Sequence, residues 1–369
     1  MNTVVYDYRI FSQQEFGGIS RYFCEIAKRI PQSSDWLTEV IAPLHCNHYL
    51  AESQITTIGR FAPLPHPLFK KLYALCNKIV TPTMMALNQH NVLHYTYYSP
   101  KPYKSRVPTV ITVYDMIHEL FPHYFPADDP TRQWKRRAVE AADHVICISH
   151  TTARDLIRFL DVPPTKISVV HLGYSEELKE PFAFAEKNQG SLNRPYFLYV
   201  GARSGYKNFN RLLEVFGASA RIAENFDLVA FGGGPFTQTE LGKINALGLR
   251  SDSVQHISGS DAKLARYYNG ARAFIYPSEY EGFGIPPLEA MSCGCPVICS
   301  DTICIRKIVG AAAEFFEPTN NDSIRVALER IAFDDQLRVD LVKAGRVQSS
   351  LYSWDKCAES TVDIYRALL

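Results

Sequence analysis

Short apolar runs alternate with helical stretches along most of the chain, and this alternation constrains the fold more than any other feature. The runs mostly lack alternating polar residues, as strands buried on both faces do. They lie at residues 110–113, 144–148, 167–171, 196–200, 228–231, 273–276 and 296–299. Helical stretches lie at residues 18–29, 134–142, 151–160, 208–218 and 261–269. Because parallel strands need long crossover connections of this kind, the alternation predicts an α/β fold with parallel sheets.

Length and a break in the pattern predict two domains. The chain has 369 residues, of which 46% are hydrophobic. A chain of this length is usually too long for a single hydrophobic core. Residues 179–195 are polar, contain prolines and lack periodicity. We therefore predict a Rossmann-like domain at residues 1–180, a linker at 181–195 and a second Rossmann-like domain at 196–352. Since ligands bind such sheets at the carboxyl ends of the strands, we expect the reactive site in the cleft between the domains.

Charge and cysteine content limit the class of protein. The formal net charge is +1, which gives no general attraction for nucleic acid, so we expect no nucleic-acid partner. The nine cysteines are odd in number and show no regular framework, which is typical of a reducing compartment. The sequence shows neither a signal-peptide pattern nor a run of about 18 apolar residues. We therefore expect a cytoplasmic protein, either soluble or peripheral to the inner face of the cell membrane.

A local excess of positive charge leaves two interpretations open. Residues 60–137 contain eleven Lys or Arg and four Asp or Glu, a balance of +7. Within this region, residues 67–87 mix basic and apolar side chains. The segment fits an interfacial helix that contacts an anionic membrane. It fits a packed helix with solvated lysines equally well.

The run 275-IYPSEYEGFGIPPLEAMSCGCPVICSD-301 carries two glutamates eight positions apart, Glu281 and Glu289. We expect Glu281 to close a strand, residues 282–284 to form a tight glycine loop, and Glu289 to lie in the first turn of the next helix. A helix N-terminus beside a glycine loop binds anions, and a carboxylate accepts hydrogen bonds from two vicinal hydroxyls. This combination suits a nucleotide sugar. For Glu289, attraction to the helix macrodipole is the simpler alternative.

No metal site is predicted. Cys293 and Cys295 are separated by one residue, which is poor zinc geometry without a second Cys or His pair. An Asp-x-Asp motif at the end of a plausible strand is also absent. We therefore expect a reaction that needs neither a metal nor another cofactor.

The order of residues in 275–301 resembles the C-terminal signature of the retaining GT-B glycosyltransferases of family 4. The resemblance extends to 15-EFGGISRYF-23, to 198-LYVGARSGYKNFNRLLEVF-216 and to 351-LYSWDKCAESTVDIYRALL-369. It implies two Rossmann-like domains whose parallel sheets face each other across a deep cleft. It also implies that the closing helix, residues 353–369, crosses back onto the N-terminal domain.

The same resemblance implies roles on the donor side. Arg203 and Lys207 would bind the donor diphosphate, Glu289 the ribose hydroxyls, and Glu281 the transferred sugar. Backbone amides would face the donor phosphate and sugar at Gly17, Gly18, Gly282, Phe283, Gly284 and Ile285. One departure concerns Tyr206, which stands where an Arg commonly precedes the Lys. Arg203 would then substitute from the other side of the loop.

The acceptor side resembles the family less closely. The stretch 110-VITVYDMIHELFPHYFP-126 resembles a strand and loop that usually reads His-Asp, but Tyr114 replaces the His. Asp115 and His118 remain as candidates to orient an acceptor hydroxyl. For His118 the alternative is a hydrogen-bonded structural role.

The resemblance as a whole predicts a retaining glycosyltransferase. It would transfer a hexose from a nucleotide-diphosphate sugar to an oligosaccharide or a polyisoprenoid-linked glycan in surface-polysaccharide synthesis. Family frequency favours GDP-mannose as the donor. Retention would proceed by front-face attack with the donor phosphate removing the acceptor proton, so Glu281 is not expected to act as a nucleophile.

Two other classes stay open at this point. A non-catalytic sugar-nucleotide-binding protein would have the same fold, although Lys207, Glu281 and Glu289 together favour an enzyme. A nicotinamide-dependent oxidoreductase would need a Gly-x-Gly-x-x-Gly fingerprint after the first strand. The glycine run 231-FGGGP-235 lies too late and has the wrong spacing.

Overall fold

A computed structural model describes residues 1–63, 70–102, 105–175, 178, 194–250 and 252–369. The chain forms two compact units. The first unit comprises Met1–Gly173 and Ser353–Leu369, and the second comprises Tyr174–Tyr352. The first unit therefore ends before the predicted boundary at residue 180, whereas the closing segment groups with it. Nearly all of the predicted linker, 181–195, lies outside the described residues.

The first unit is built on a seven-stranded sheet of parallel strands in the order β3-β2-β1-β4-β5-β6-β7. The strands are β1 (Asn2–Asp7), β2 (Trp36–His45), β3 (Thr56–Phe61), β4 (Val92–Tyr95), β5 (Thr109–Val113), β6 (His144–Cys147) and β7 (Ile167–Val169). The helices are α1 (Gly18–Ser33), α2 (His48–Ala51), α3 (Lys70–Leu87), α4 (Ile117–Leu120), α5 (Thr131–Ala141), α6 (His150–Leu160) and the closing helix α15 (Trp354–Ala367). Strands β1, β4 and β5 are almost wholly buried, which explains why they lack alternating polar residues.

The second unit repeats this plan with a six-stranded parallel sheet in the order β10-β9-β8-β11-β12-β13. The strands are β8 (Tyr196–Val200), β9 (Asp227–Phe231), β10 (Val254–Ile257), β11 (Ala273–Tyr276), β12 (Val297–Ser300) and β13 (Glu314–Phe316). The helices are α7 (Phe209–Ala218), α8 (Ala220–Asn225), α9 (Gln238–Ala246), α10 (Asp261–Gly270), α11 (Ile285–Ser292), α12 (Ile303–Val309), α13 (Asn321–Phe333) and α14 (Asp335–Ser349). The predicted strands are all present, with bounds within two residues of the prediction.

The strand order positions the functional loops. In each sheet the chain first proceeds in one direction from a central strand and then returns to add strands on the other side. The reversal falls between β1 and β4 in the first unit and between β8 and β11 in the second. In doubly wound sheets, the loops that follow these two strands diverge and leave a crevice at the carboxyl edge. The crevices predicted from topology therefore lie beside residues 8–17 and 201–208.

The closing helix α15 is fixed to the first unit by a buried polar chain. The imidazole of His94 on β4 contacts the hydroxyl of Tyr365 through Nδ1 at 2.7 Å and that of Thr112 through Nε2 at 2.9 Å. The Tyr365 hydroxyl also lies 3.2 Å from that of Tyr6. Complete burial lowers the pKa of His94 to about 3, so the ring is neutral. The chain joins residues 271 positions apart and satisfies polar groups that would otherwise be costly to bury.

Helix α3 contains most of residues 67–87, the segment that fits either a membrane-contacting helix or a packed helix. One face is buried at Tyr73, Asn77, Thr81 and Met85, and the Asn77 amide hydrogen-bonds both backbone groups of Leu44 on β2. The opposite face exposes Leu72, Leu75 and Ile79 at 62%, 49% and 63%. Residues 64–69 lie outside the described part of the chain. None of the helices described is both long and apolar enough to cross a membrane.

Candidate active site

The loop between β11 and α11 carries the acidic motif of the second unit. Strand β11 ends at Tyr276, so Glu281 lies within the following loop, and the prediction that it closes the strand is wrong. The backbone amide of Glu279 donates to the carbonyl of Tyr206 at 2.8 Å. This bond joins the loop after β11 to the loop after β8. The two loops at the topological reversal of the second sheet are therefore held together.

Lys207 and Glu281 form an ion pair at this edge. The Lys207 Nζ lies 2.7 Å from Glu281 Oε1, and the two side chains are 23% and 12% exposed. The buried hydroxyl of Tyr276 also hydrogen-bonds to Glu281. Burial and the adjacent Glu281 carboxylate raise the pKa of Tyr276 well above its usual value, so the phenol stays protonated and donates. The carboxylate is thus held by a cation and a phenol at the mouth of the sheet.

Helix α11 begins directly after the glycine loop. Gly284 is the N-cap residue with φ of 112°, a left-handed conformation that favours glycine, and Pro286 follows in the first turn. No side chain within the described residues caps this N-terminus. Glu289 is the fifth residue of the helix, so the prediction that it lies in the first turn is wrong. The hydroxyl of Tyr268 on α10 donates to Glu289 Oε2 at 3.3 Å, and Glu289 is buried.

Arg203 does not lie as a solvated cation at the mouth of the sheet. Its Nε donates to Glu240 Oε1 at 2.7 Å, while its two terminal nitrogens donate to the carbonyls of Gly232 and Pro235 at 3.0 and 2.9 Å. The guanidinium also lies 4.8 Å from the ring centre of Phe236, and the side chain is 4% exposed. These contacts use most of its donors. Arg203 therefore fixes the loop between β9 and α9 to the loop after β8.

The chemical capacity of this edge follows from these positions. Lys207 supplies positive charge, the N-terminus of α11 supplies the positive end of a helix dipole, and Glu281 and Glu289 supply hydrogen-bond acceptors. An anion flanked by hydroxyl groups matches this set of groups. Sequence reasoning missed Tyr276, Tyr268 and Glu240, because a single Tyr or Glu outside a motif has no distinguishing pattern in the sequence.

The glycine loop of the first unit lies after β1. Gly17 is the N-cap residue of α1 and Gly18 its first residue. A side chain at Gly18 would meet nothing within 4 Å, so the surface above it is open within this unit. The amide of Ser20 donates to Gln14 Oε1 at 3.2 Å, which satisfies one donor of the first helical turn. The open surface at Gly18 is compatible with the close approach of a ligand.

Beside this loop lies a buried ion pair that the sequence did not reveal. The carboxylate of Asp7, at the end of β1, pairs with Arg9 and accepts hydrogen bonds from the Thr96 hydroxyl at 2.6 Å and the Thr96 amide at 3.1 Å. Arg9 packs over the ring of Tyr95 at 5.0 Å. The cluster joins the loops after β1 and β4, the two strands at the reversal of the first sheet. It holds the start of the glycine loop in place.

The acceptor-side candidates follow β5. Asp115 comes two residues after the strand, and its Oδ1 accepts from the amide of Ile117 at 3.0 Å. The buried Lys135 donates to the Asp115 carbonyl at 2.9 Å and to Glu119 at 2.7 Å. His118 stacks on Phe125 with ring centres 3.8 Å apart. Burial and the Lys135 charge lower the pKa of His118, so its ring is neutral at pH 7.

The described residues contain no group of three or more His, Cys, Asp or Glu side chains that could hold a metal ion. The need for a metal is not decided by this observation, and metal independence stays a prediction.

Two protein families match consecutive parts of the chain. Residues 16–178 match Glycosyltransferase Family 4, and residues 182–348 match Glycosyl transferases group 1. The first match spans α1, with Gly18, and Asp115. The second spans Lys207, Glu281 and Glu289. The two matches together cover most of both units.

Individual relatives agree with this family assignment. The chain is 26% identical to O-antigen chain mannosyltransferase B of Escherichia coli, over 95% of this chain and 96% of the relative. Sucrose-phosphate synthase from Thermosynechococcus elongatus superposes with a TM-score of 0.77 at 19% identity, covering 100% of this chain and 99% of the other. Anabaena Alr3699/HepE in complex with UDP-glucose superposes with a TM-score of 0.72 at 16% identity, covering 99% and 100%. These structural likenesses confirm the predicted GT-B fold class.

Proposed function

The chain belongs to the glycosyltransferases that combine a Family 4 domain with a group 1 domain, and from this premise we propose its reaction. It transfers a hexose from a nucleotide-diphosphate sugar to a glycan or lipid-linked glycan acceptor in surface-polysaccharide synthesis. The observation that carries the donor assignment is the Lys207–Glu281 pair at the reversal of the second sheet, beside the N-terminus of α11. Similarity to an O-antigen mannosyltransferase over nearly the full length supports the acceptor class.

The donor diphosphate binds between Lys207 and the N-terminus of α11. Lys207 Nζ has three donors, so it can keep its contact with Glu281 while it meets a phosphate oxygen. The backbone at Gly282, Phe283, Gly284 and Ile285 then approaches the phosphate and the sugar, and Glu289 takes the ribose hydroxyls. Glu281 faces the transferred sugar. Arg203 acts indirectly in this proposal, because its donors already hold the neighbouring loops.

GDP-mannose is the donor we propose to test first. The E. coli relative is named as a mannosyltransferase, which supports mannose, whereas the Anabaena neighbour was solved with UDP-glucose. A thermal-shift comparison of GDP-mannose with UDP-glucose separates them, since a ligand at about 100 times its Kd adds roughly 2.7 kcal/mol to the free energy of unfolding.

The reaction retains anomeric configuration in this proposal. The acceptor hydroxyl attacks from the face that the diphosphate leaves, and the leaving phosphate takes its proton. Asp115 and the neutral His118 orient the acceptor, while Glu281 stabilises the positive charge that develops on the sugar. The negative charge on the diphosphate is balanced by Lys207 and the dipole of α11.

Transfer from GDP-mannose to a mannose-terminated oligosaccharide should proceed in the presence of a chelator. Because protein groups balance the diphosphate charge in the proposed site, EDTA should change the rate by less than about twofold. NMR of the product should show the anomeric configuration of the donor. An inverted product would contradict the retaining mechanism. Activity that EDTA abolishes and magnesium or manganese restores would contradict metal independence.

A non-catalytic sugar-nucleotide-binding protein is the alternative function. A glycosyltransferase and a non-catalytic binding protein would both bind the donor, but only the glycosyltransferase would release the nucleoside diphosphate. Donor hydrolysis measured with and without acceptor therefore decides between them. Binding without any release of diphosphate under either condition would favour the alternative.

We propose further that the exposed face of α3 rests on an anionic membrane that carries a lipid-linked acceptor. This face exposes Leu72, Leu75 and Ile79, and Lys78 is exposed among them. Across residues 60–137, eleven basic and four acidic residues give a balance of +7. Apolar side chains that enter the headgroup region and lysines that meet anionic lipid both favour binding. Residues 64–69 and 103–104 belong to this region but lie outside the described residues.

The double substitution Leu75→Glu with Ile79→Glu should weaken binding to phosphatidylglycerol vesicles by more than about tenfold. Each change replaces an apolar side chain, worth about 1.5 to 3 kcal/mol on burial, by a charge that anionic lipid repels. Vesicle sedimentation measures the bound fraction. Val347→Glu is the matched control, because Val347 is a 69% exposed apolar residue on α14 of the second unit. Equal binding by the wild type, the double variant and the control would contradict membrane contact through the exposed face of α3.

A further inference from the structure

The first unit contains a surface pocket between α4 and the start of α5. Its volume is about 420 Å³, and its lining includes His118, Pro122, His123, Phe125, Asp129 and Arg132. Sites for small molecules usually have volumes of about 300 to 1,000 Å³, so this pocket has the size for one or two sugar rings. It lies on the chain segment that follows β5, close to Asp115 in sequence. We call it the α4–α5 pocket.

The lining of the α4–α5 pocket includes two stacked aromatic rings and two prolines. The rings of His118 and Phe125 are stacked 3.8 Å apart at an interplanar angle of 22°, and Pro122 and Pro126 contribute further ring surfaces. The lowered pKa of His118 keeps its ring uncharged at neutral pH. The C–H face of a pyranose ring packs favourably on surfaces of this kind, because both are apolar while the ring edge remains polar.

Two polar side chains of opposite charge complete the lining. Asp129 is held in place because its Oδ1 accepts from the Thr131 amide at 2.8 Å. Hydrogen bonds from Thr131 lower the pKa of Asp129, so its carboxylate is ionised at neutral pH. Arg132 is exposed and makes no hydrogen bond or ion pair with any residue that the structure describes.

The pairing of these charges indicates the class of ligand. A carboxylate only accepts hydrogen bonds and a guanidinium only donates them, whereas each sugar hydroxyl does both. Vicinal hydroxyls can therefore satisfy Asp129 and Arg132 together. A phosphate would be repelled by Asp129, and a cation would be repelled by Arg132. The lining favours a neutral polyhydroxylated ring over either ion.

We propose that the α4–α5 pocket is a subsite for a neutral hexose ring of the acceptor glycan. The inference rests on the proposed transferase function and deepens it, because it adds Phe125, Asp129 and Arg132 to acceptor recognition beside the predicted His118. Asp129 and Arg132 hold the hydroxyl edge of the ring, while the stacked His118 and Phe125 support its apolar face. The pocket would then select the sugar residue by which the acceptor is recognised.

Binding of methyl α-mannopyranoside, methyl α-glucopyranoside and methyl α-galactopyranoside to the full chain tests this proposal by saturation-transfer NMR. At least one hexoside should bind, and Arg132→Ala and Asp129→Asn should each weaken it about tenfold, as expected for a hydrogen bond to a charged group. The control is Arg136→Ala, an exposed arginine on the same helix that does not line the pocket. Binding that neither variant changes, binding of none of the three hexosides, or displacement of a bound hexoside by inorganic phosphate would each overturn the proposal.

Kinetics separate failure of the pocket from failure of the transferase function. With a mannose-terminated oligosaccharide as acceptor, both variants should raise the acceptor KM about tenfold while hydrolysis of GDP-mannose without acceptor is unchanged. Normal transfer by wild type and both variants, with an unchanged acceptor KM, would overturn the pocket and leave the transferase function standing. The protein could also bind a hexoside through Arg132 and Asp129 and yet turn over no nucleotide sugar. That result would support the hexose subsite and contradict the transferase function.

Discussion

Replacing Glu281 by glutamine is expected to lower kcat by about 10² to 10³-fold, comparable with the loss of one preorganised electrostatic group. The substitution keeps the shape and the hydrogen bond to Tyr276 but removes the negative charge that would support the developing positive charge on the sugar. It also removes the carboxylate charge that lies 2.7 Å from Lys207 Nζ. Lys207 keeps its positive charge for the diphosphate, so the donor Kd should not rise. Steady-state kinetics and donor titration measure the two quantities separately.

A matched ion pair provides the control for this prediction. Lys243 and Glu214 lie 4.0 Å apart on the surface of the same unit, with side chains 41% and 54% exposed. Glu214→Gln removes the same charge and should leave kcat within about twofold, because exposed pairs contribute little. Lys207→Ala should instead weaken donor binding and turnover together. If Glu281→Gln raised the donor Kd and left kcat unchanged, Glu281 would be a binding group only.

Intact-protein mass spectrometry tests the mechanism of the same residue. With a slow donor, no glycosyl adduct should accumulate on Glu281, because its carboxylate is held by Lys207 and Tyr276 and no covalent step is expected. An adduct on Glu281 would show a double displacement and would contradict front-face attack.

Replacing Arg203 by alanine is expected to lower the free energy of unfolding by about 3 to 5 kcal/mol, the usual effect of removing one partner of a buried ion pair. The change would leave Glu240 without its cation and would remove one hydrogen-bond donor each from the carbonyls of Gly232 and Pro235. It would also remove the guanidinium from the ring of Phe236. Urea denaturation monitored by circular dichroism measures the loss. A variant of unchanged stability whose only defect is a raised donor KM would show that Arg203 binds phosphate directly.

Arg325 serves as the control for Arg203. It pairs with Asp322 and Glu329 on the surface of α13 and is 40% exposed, so Arg325→Ala should lower the urea midpoint far less than Arg203→Ala does. The pH dependence provides a second check. Burial alone would raise the pKa of Glu240, but hydrogen bonds from Arg203 and Thr237 outweigh it and lower the pKa. The stability from this pair is therefore present above the unfolded carboxyl pKa of about 4.3 and is lost as the pH falls through the lower folded value.

The sheet architecture could be predicted because its signal is local. Buried parallel strands need apolar runs of a few residues, and their crossover helices need amphipathic stretches, so both leave a pattern in consecutive residues. β8 and β11 have the bounds that the sequence predicts. The position of Lys207 directly after β8 also follows from sequence, since a loop that follows a strand lies at the carboxyl edge. Errors arose at the ends of elements: Glu281 lies five residues after the last residue of β11, and Glu289 lies just past the first turn of α11.

The amino-acid sequence by itself determined two α/β units and the edge of the second sheet at which a nucleotide sugar is expected. Tertiary structure decided which charges meet there. Lys207 and Glu281 are 74 residues apart in sequence, and Arg203 and Glu240 are 37 apart. Local patterns record the backbone state of consecutive residues, but the partner of a charged side chain depends on which strands become neighbours. For this reason Arg203 and Lys207, which lie in one loop, had the same interpretation from sequence. In the structure only Lys207 pairs with the loop that carries Glu281.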